Sequence, residues 1–162
     1  MNSISFRHAK LNDLTRVKYI TKLAYKISYK ENSFITRSHE PNNLKDIFLS
    51  KKLFIIVAAV DKKIVGAVRY KILEKNSLYI YKLAVLKTYR NKRIGESLIK
   101  QIEVVAKKKG FTKILLDCAQ EKQLPEYYKK LGYKIDIVKK HQDHHDVYMS
   151  KKILNKIKIN SF

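Results

Sequence analysis

The tightest constraint on the fold lies between Leu78 and Lys100, where one periodicity replaces another within a few residues. Leu78-Tyr79-Ile80-Tyr81-Lys82-Leu83-Ala84-Val85 is apolar, aromatic or β-branched except at Lys82 and reads as a strand. From Ile94 the spacing becomes helical: Ile94, Leu98, Ile102, Val105 and Ala106 fall on one face. The loop between them holds Arg90, Asn91, Lys92, Arg93 and, opening the helix, Gly95. Such a loop turns backbone N–H groups and the positive end of a helix dipole outward, an arrangement that binds anions, phosphates above all. The helix ends at Lys107-Lys108-Lys109-Gly110, with lysines against the negative dipole end and Gly110 as the C-cap. Thr112 to Asp117 is the next strand. A strand, a helix and a second strand make a βαβ unit, so the two strands are expected as parallel neighbours.

The flanking segments supply the rest of a sheet. Ile4, Phe6 and His8 mark a first strand, and Leu14, Val17, Ile20, Leu23 or Ala24, and Ile27 mark a helix capped by Asn12 or Asp13. Tyr29 to Glu40 is polar and reads as a loop, and Pro41 starts a short helix through Leu49. The apolar run Leu53 to Val60 turns at Asp61-Lys62-Lys63 and returns through Ile64 to Tyr70, a hairpin in which Gly66 allows close backbone approach. Glu74 to Ser77 is a second turn. Beyond Asp117, a helix around Tyr127-Tyr128 ends at Gly132, and Tyr133 to Val138 is a strand. Lys139 to Asp146 reads as a polar loop before a last strand at Val147-Tyr148-Met149. One domain over residues 1–154, followed by a lysine-rich tail at 155–162, accounts for the chain.

Charge raises the question of nucleic acid, because 36 Lys+Arg against 14 Asp+Glu give a net +22. Only six of those 36 are arginine and the lysines are scattered, so no specific nucleic-acid partner is expected. No run approaches the ~18 apolar residues of a membrane span. The N-terminus lacks an apolar signal core, and the single cysteine excludes an internal disulfide, so a cytoplasmic protein is expected. Cys118 has no histidine beside it and is expected as a buried thiol rather than a nucleophile. His141-Gln142-Asp143-His144-His145-Asp146 looks like metal-ligand material but matches no recognised zinc spacing with cysteine. A solvated loop and no metal site are expected there.

Two segments carry a family resemblance. Leu83-Ala84-Val85 followed by Arg90-Asn91-Lys92-Arg93-Ile94-Gly95 resembles the acetyl-CoA signature of the GNAT superfamily of N-acetyltransferases. Arg90 matches its first position and Gly95 its last, while Arg93 stands where a glycine is usual. About thirty residues on, Pro125-Glu126-Tyr127-Tyr128-Lys129-Lys130-Leu131-Gly132-Tyr133 resembles the family's aromatic-Tyr-Glu-Lys-Leu-Gly-Phe segment. With Ala119-Gln120-Glu121 before it, this segment looks like a small, stand-alone bacterial-type branch. The resemblance implies a mixed α/β fold: a mostly antiparallel sheet of six or seven strands, with a parallel pair at the cofactor cleft and four flanking helices. It implies acetyl-CoA as acyl donor and direct transfer to an amine on a small molecule or protein, by a monomer or homodimer. The alternatives are a GNAT-fold module that binds CoA without catalysis, and a basic nucleic-acid-associated protein.

The same resemblance assigns roles. Backbone N–H groups of Arg90, Asn91, Lys92, Arg93, Ile94 and Gly95 would cradle the pyrophosphate, and Gly95 would leave room for it. Leu83, Ala84 and Val85 would run beside the pantetheine arm. Tyr128 would be the general acid, a phenol of pKa about 10 protonating the departing thiolate. Tyr127 is expected as a core aromatic. Gln120 would orient the Tyr128 region or touch the cofactor, and a base for the amine would be Glu74, Asp117 or Glu121. At Arg93 a negative φ is expected, with the side chain folding back on a phosphate; the alternative is a positive φ or a filled space, which would strain the arginine and degrade the site.

Overall fold

The computed structural model describes residues 3–28, 40–74, 76–142 and 144–154. Within them seven strands form one sheet: β1 (Ile4–His8), β2 (Phe54–Val60), β3 (Lys63–Leu73), β4 (Ser77–Val85), β5 (Lys113–Ala119), β6 (Lys134–Lys140) and β7 (His145–Lys152). Four α-helices accompany them: α1 (Leu14–Ser28), α2 (Leu44–Leu49), α3 (Ile94–Lys109) and α4 (Leu124–Lys130). The strand order is β1-β2-β3-β4-β5-β7-β6. β4 and β5 are parallel, as the βαβ reading requires, and the other neighbours are antiparallel.

Helices cover both faces of the sheet. On one face, Leu14, Val17, Ile20 and Ala24 of α1 pack on Ile55, Val57, Ala67 and Ala84. On the other, Ile94, Leu98, Ile99, Ile102 and Ala106 of α3 pack on Ile56, Ala58, Val68 and Ile80. Successive residues of β2 therefore enter opposite cores, which is why its sequence is an unbroken apolar run rather than an alternation. The β2–β3 hairpin turns on Asp61 and Lys62, both at positive φ (48° and 67°), the type I′ geometry that matches strand twist. α3 stops as expected: Gly110 sits at φ 78°, and the Phe111 N–H donates to the Ala106 carbonyl at 2.9 Å.

Several boundaries differ from the sequence reading. α2 begins at Leu44, three residues after Pro41, with Asn43 as its N-cap. α1 is preceded by a one-turn 3-10 helix, Leu11–Asp13, and Asp13 accepts the Lys10 N–H at 2.7 Å instead of capping α1 directly. On α3 it is Ile99 rather than Val105 that is fully buried. The polar loop expected over Lys139 to Asp146 is a tight hairpin, because β6 runs to Lys140 and pairs it with His145. β6 is exposed at every residue, so polarity there carried no warning against a strand. The expected loop over 29–39 and the tail at 155–162 lie outside the described residues.

Candidate active site

A break in the sheet creates the site. β4 and β5 pair from Ser77↔Lys113 to Ile80↔Leu116, and there the pairing ends. β5 continues to Ala119 against β7, while β4 continues to Val85 against β3. The β3–β4 register shifts between Ala67 and Arg69, so Lys82 and Leu83 together oppose Val68, and Lys82 takes a left-handed φ of 50°. This is a β-bulge, and it bends β4 away from β5. The strands splay around a cleft of about 890 Å³. Gly66 supports the bend, since a Cβ there would meet the Ala84 carbonyl and a Leu98 methyl at 3.3 Å.

At one end of the cleft lies the loop into α3. Leu83, Val85, Arg90, Asn91, Arg93, Ile94 and Gly95 line it. The Arg90 side chain ties this loop to β4 and α1, since its Nε donates to the Val85 carbonyl (3.2 Å) and an NH2 to the Ala24 carbonyl (3.3 Å). Gly95 is a matter of space. A Cβ on it would lie 3.1 Å from the Tyr127 hydroxyl and 3.7 Å from a Leu83 methyl. The expected negative φ at Arg93 is overturned. The residue stands at φ 56°, ψ 16° as the N-cap of α3, and its carbonyl accepts the Ser97 N–H at 2.9 Å. Loop closure onto the helix imposes this conformation, and an arginine meets it at the cost of left-handed strain, about 1–2 kcal/mol. Glu96 also lines the cleft, but its carboxylate is bonded to Lys100 Nζ at 2.6 Å, which holds its pKa below the usual value.

Tyr128 lies on the cleft wall with only 8% of its surface exposed, edge-on to both Tyr127 and Tyr133. Burial pushes its phenol well above the usual 10, with Tyr25 and Cys118 adding in the same direction, so it stays protonated throughout the neutral range. Tyr127, expected as a core aromatic, lines the cleft as well, and burial raises its phenol to about 12. Across the cleft the Tyr79 hydroxyl donates to Asp117 Oδ1. Lys82, at the bulge, has its pKa lowered by burial despite Glu40 at 3.9 Å. Glu40 is already engaged by the buried Arg69 through a two-pronged pair at 2.5 and 2.7 Å.

Some expected site residues are elsewhere. The Ala84 side chain is buried against α1, Lys92 Nζ lies over the Tyr89 ring, and Gln120 is exposed in the turn after β5; none lines the cleft. Of the three expected bases only Asp117 lines it. Glu74 is in an exposed turn, and Glu121 accepts the His145 N–H at 2.9 Å. Cys118 is buried, as expected. Tyr25, Lys71, Tyr79, Tyr81 and Lys122 are cleft residues the sequence reading missed. A usable signal existed for two of them: Tyr79 and Tyr81 alternate with core-facing Leu78 and Ile80, which assigns both to the opposite face.

Comparison with known proteins agrees with this geometry. A crystal structure of the PaiA N-acetyltransferase from Thermoplasma acidophilum in complex with coenzyme A superposes with a TM-score of 0.77 at 23% identity, covering 93% of this chain and 99% of that one. The ribosomal-protein-S18-alanine N-acetyltransferase from Escherichia coli gives 0.76 at 12% identity over 99% of both chains. An aminoglycoside 6'-N-acetyltransferase complexed with coenzyme A gives 0.71 at 18% identity, over 94% of this chain and 98% of that one. At such identities these likenesses establish the fold. A search of curated protein sequences found no match. The model of the acetyltransferase (GNAT) family matches residues 19–133, most of the chain, and the protein belongs to that family.

Proposed function

We propose that the protein is an N-acetyltransferase that moves the acetyl group of acetyl-CoA directly onto a primary amine. The observation that carries this reading is the splay of β4 from β5 at the foot of the α3 loop. The edge of β4 beyond Ile80 offers backbone groups to an extended arm of a ligand, in the way a peptide adds to a sheet edge. The first turn of α3 offers N–H groups that have no acceptor within the helix, a fit for a pyrophosphate. The thioester supplies an activated acetyl carbon, and the chain's residues supply the rest.

Direct transfer forms a C–N bond and breaks the C–S bond, so one proton must leave the amine and one must reach the sulfur. Tyr128 fits the second role, since a buried phenol is neutral and able to donate. Asp117 fits the first role: of the carboxylates on the cleft, Glu96 is tied to Lys100, and the Tyr79 hydroxyl fixes one oxygen of Asp117. Ordinary alkyl amines are mostly protonated at neutral pH, so this base matters. The test is incubation with acetyl-CoA and a panel of polyamines, amino sugars and peptide amines, following free thiol. Thiol release that requires an acceptor and yields the N-acetylated amine is expected. Acetyl-CoA binding with no release on any amine would leave a CoA-binding module without catalysis.

A further inference from the structure

We propose that His141, His144 and Asp146 form a binding site for a divalent transition-metal ion, zinc fitting best, that clips the β6–β7 turn. The acetyltransferase reading makes no use of these residues. Their placement follows from the hairpin. Lys140 pairs with His145 at the end of the ladder, and the His141 N–H donates to the His144 carbonyl at 2.7 Å. This turn lays the two imidazoles face to face, with ring centroids 4.4 Å apart and planes 11° from parallel. Asp146, at the start of β7, faces both: Oδ2 is 3.3 Å from His141 Nε2, and Oδ1 is 3.7 Å from His144 Nε2. One donor atom from each of the three residues lies within 4.8 Å of the others.

The donor set selects the ion. Two imidazoles and one carboxylate suit zinc and its transition-metal neighbours, whereas magnesium and calcium prefer shells of oxygen. In a tetrahedral zinc site with bonds of about 2.0–2.2 Å the donor atoms stand roughly 3.3–3.5 Å apart. Asp146 presents a different oxygen to each imidazole, at 3.3 and 3.7 Å, so a shared site asks one oxygen to serve both rings and the stacked imidazoles to turn until their lone pairs converge. The remaining contraction falls on His141, whose side chain is 44% exposed and able to rotate, and the same exposure leaves a fourth position for water. His145, next in sequence, is held away by Glu121, whose carboxylate lies 2.8 Å from its Nδ1. The site borders the cleft. Asp146 pairs with Ala119 of β5, and Ala119 lines the cleft wall, so an ion here would brace that wall.

The experiment uses the full chain without a polyhistidine tag, stripped with chelator and titrated with zinc chloride. One zinc per chain with micromolar or tighter affinity is expected, together with a rise in melting temperature that magnesium does not produce. Loss of a second-shell partner costs about 10–100-fold in metal affinity, so His141→Ala, which alters an exposed residue and leaves the core intact, should lose at least as much. Asp146→Asn should behave likewise, and His145→Ala should bind as the natural chain does. Cobalt in place of zinc should give a visible tetrahedral absorption that disappears in His144→Ala. Absence of saturable zinc binding, or equal affinity in His141→Ala and the natural chain, would overturn the proposal and leave a hydrogen-bonded turn.

Discussion

β4 and β5 are one strand pair with two unlike halves. From Ser77 to Ile80 against Lys113 to Leu116, the backbones pair and the buried side chains, Leu78, Ile80, Ile114 and Leu116, join the α3 core. Past that point the pairing ends, and the walls carry Tyr81, Lys82, Asp117 and, a little further on, Tyr128. Half of the left-handed residues gather at the open half. Of the eight non-glycine residues at positive φ among those described, Lys82, Asn91 and Arg93 line the open half, and Gln123 caps the helix that carries Tyr128. Strain persists where surrounding structure holds it, and here it surrounds the cleft. The closed half is packed core, and the open half holds polar and titratable groups on the cleft wall.

The largest expected effect lies in the open half. Tyr128→Phe should lower kcat by about a hundred- to a thousandfold, the range of lost general-acid catalysis, and leave the melting-temperature shift induced by acetyl-CoA nearly unchanged. The pH profile sharpens the test. Because the phenol pKa is raised well above 10, Tyr128 keeps its proton as pH climbs through the neutral and mildly alkaline range. The natural enzyme should therefore show rising activity as the amine loses its proton, with no fall assignable to Tyr128 below about pH 10. Full activity in Tyr128→Phe would move the acid elsewhere on the cleft.

One substitution in each half tests the division itself. Leu116→Ala removes a 2%-exposed core side chain and should cost about 2–5 kcal/mol, or roughly 5–20 °C in Tm, without changing acetyl-CoA affinity in the folded fraction. Gly95→Val should do the reverse. Its added methyls must press on the Tyr127 hydroxyl and crowd Leu83, both on the cleft wall, so they intrude on the cleft more than on the core beneath the sheet. Most of the acetyl-CoA-induced shift in Tm should disappear, with Tm in the absence of ligand little changed. If both variants lost stability and ligand binding together, the two halves would be one cooperative unit and the contrast would fail.

The closed half was legible in the sequence, and the open half only in part. Strand period, helix period and caps determine β4, α3 and their parallel partner, and these signals are local. Tyr128 was reached through its resemblance to a family segment, and Asp117 was one of three carboxylates, of which it alone lines the cleft. The bulge was hidden, because nothing in a lysine marks position 82 for a left-handed φ; the β3–β4 register imposes it. β6 was cut short for a different reason. The edge strand is exposed on both faces, and its last two residues, Lys139 and Lys140, carry no apolar signal, so its polar end reads as loop.

The smallest effect sharpens the comparison most, because it sits where strain and ligand meet. Arg93 occupies a left-handed position at the mouth of the open half. Arg93→Gly should relieve about 1–2 kcal/mol of strain and give back about 0.5–1 kcal/mol through the greater freedom of glycine in the unfolded chain. A net gain of up to about 1.5 kcal/mol, a few degrees in Tm, is expected from thermal unfolding without ligand. Ligand binding is a separate matter. The guanidinium is a cation on a cleft whose proposed ligand is a polyanion, and its field already contributes to the low pKa of Glu96. Acetyl-CoA should therefore bind the glycine variant more weakly, and its affinity should fall less steeply as salt is added, since one screened attraction is gone. A more stable protein that binds less well would show that the open half keeps this strained arginine for its charge. A variant that is more stable and also binds more tightly would mean that Arg93 obstructs the loop, and would favour a CoA-binding fold whose catalysis has decayed.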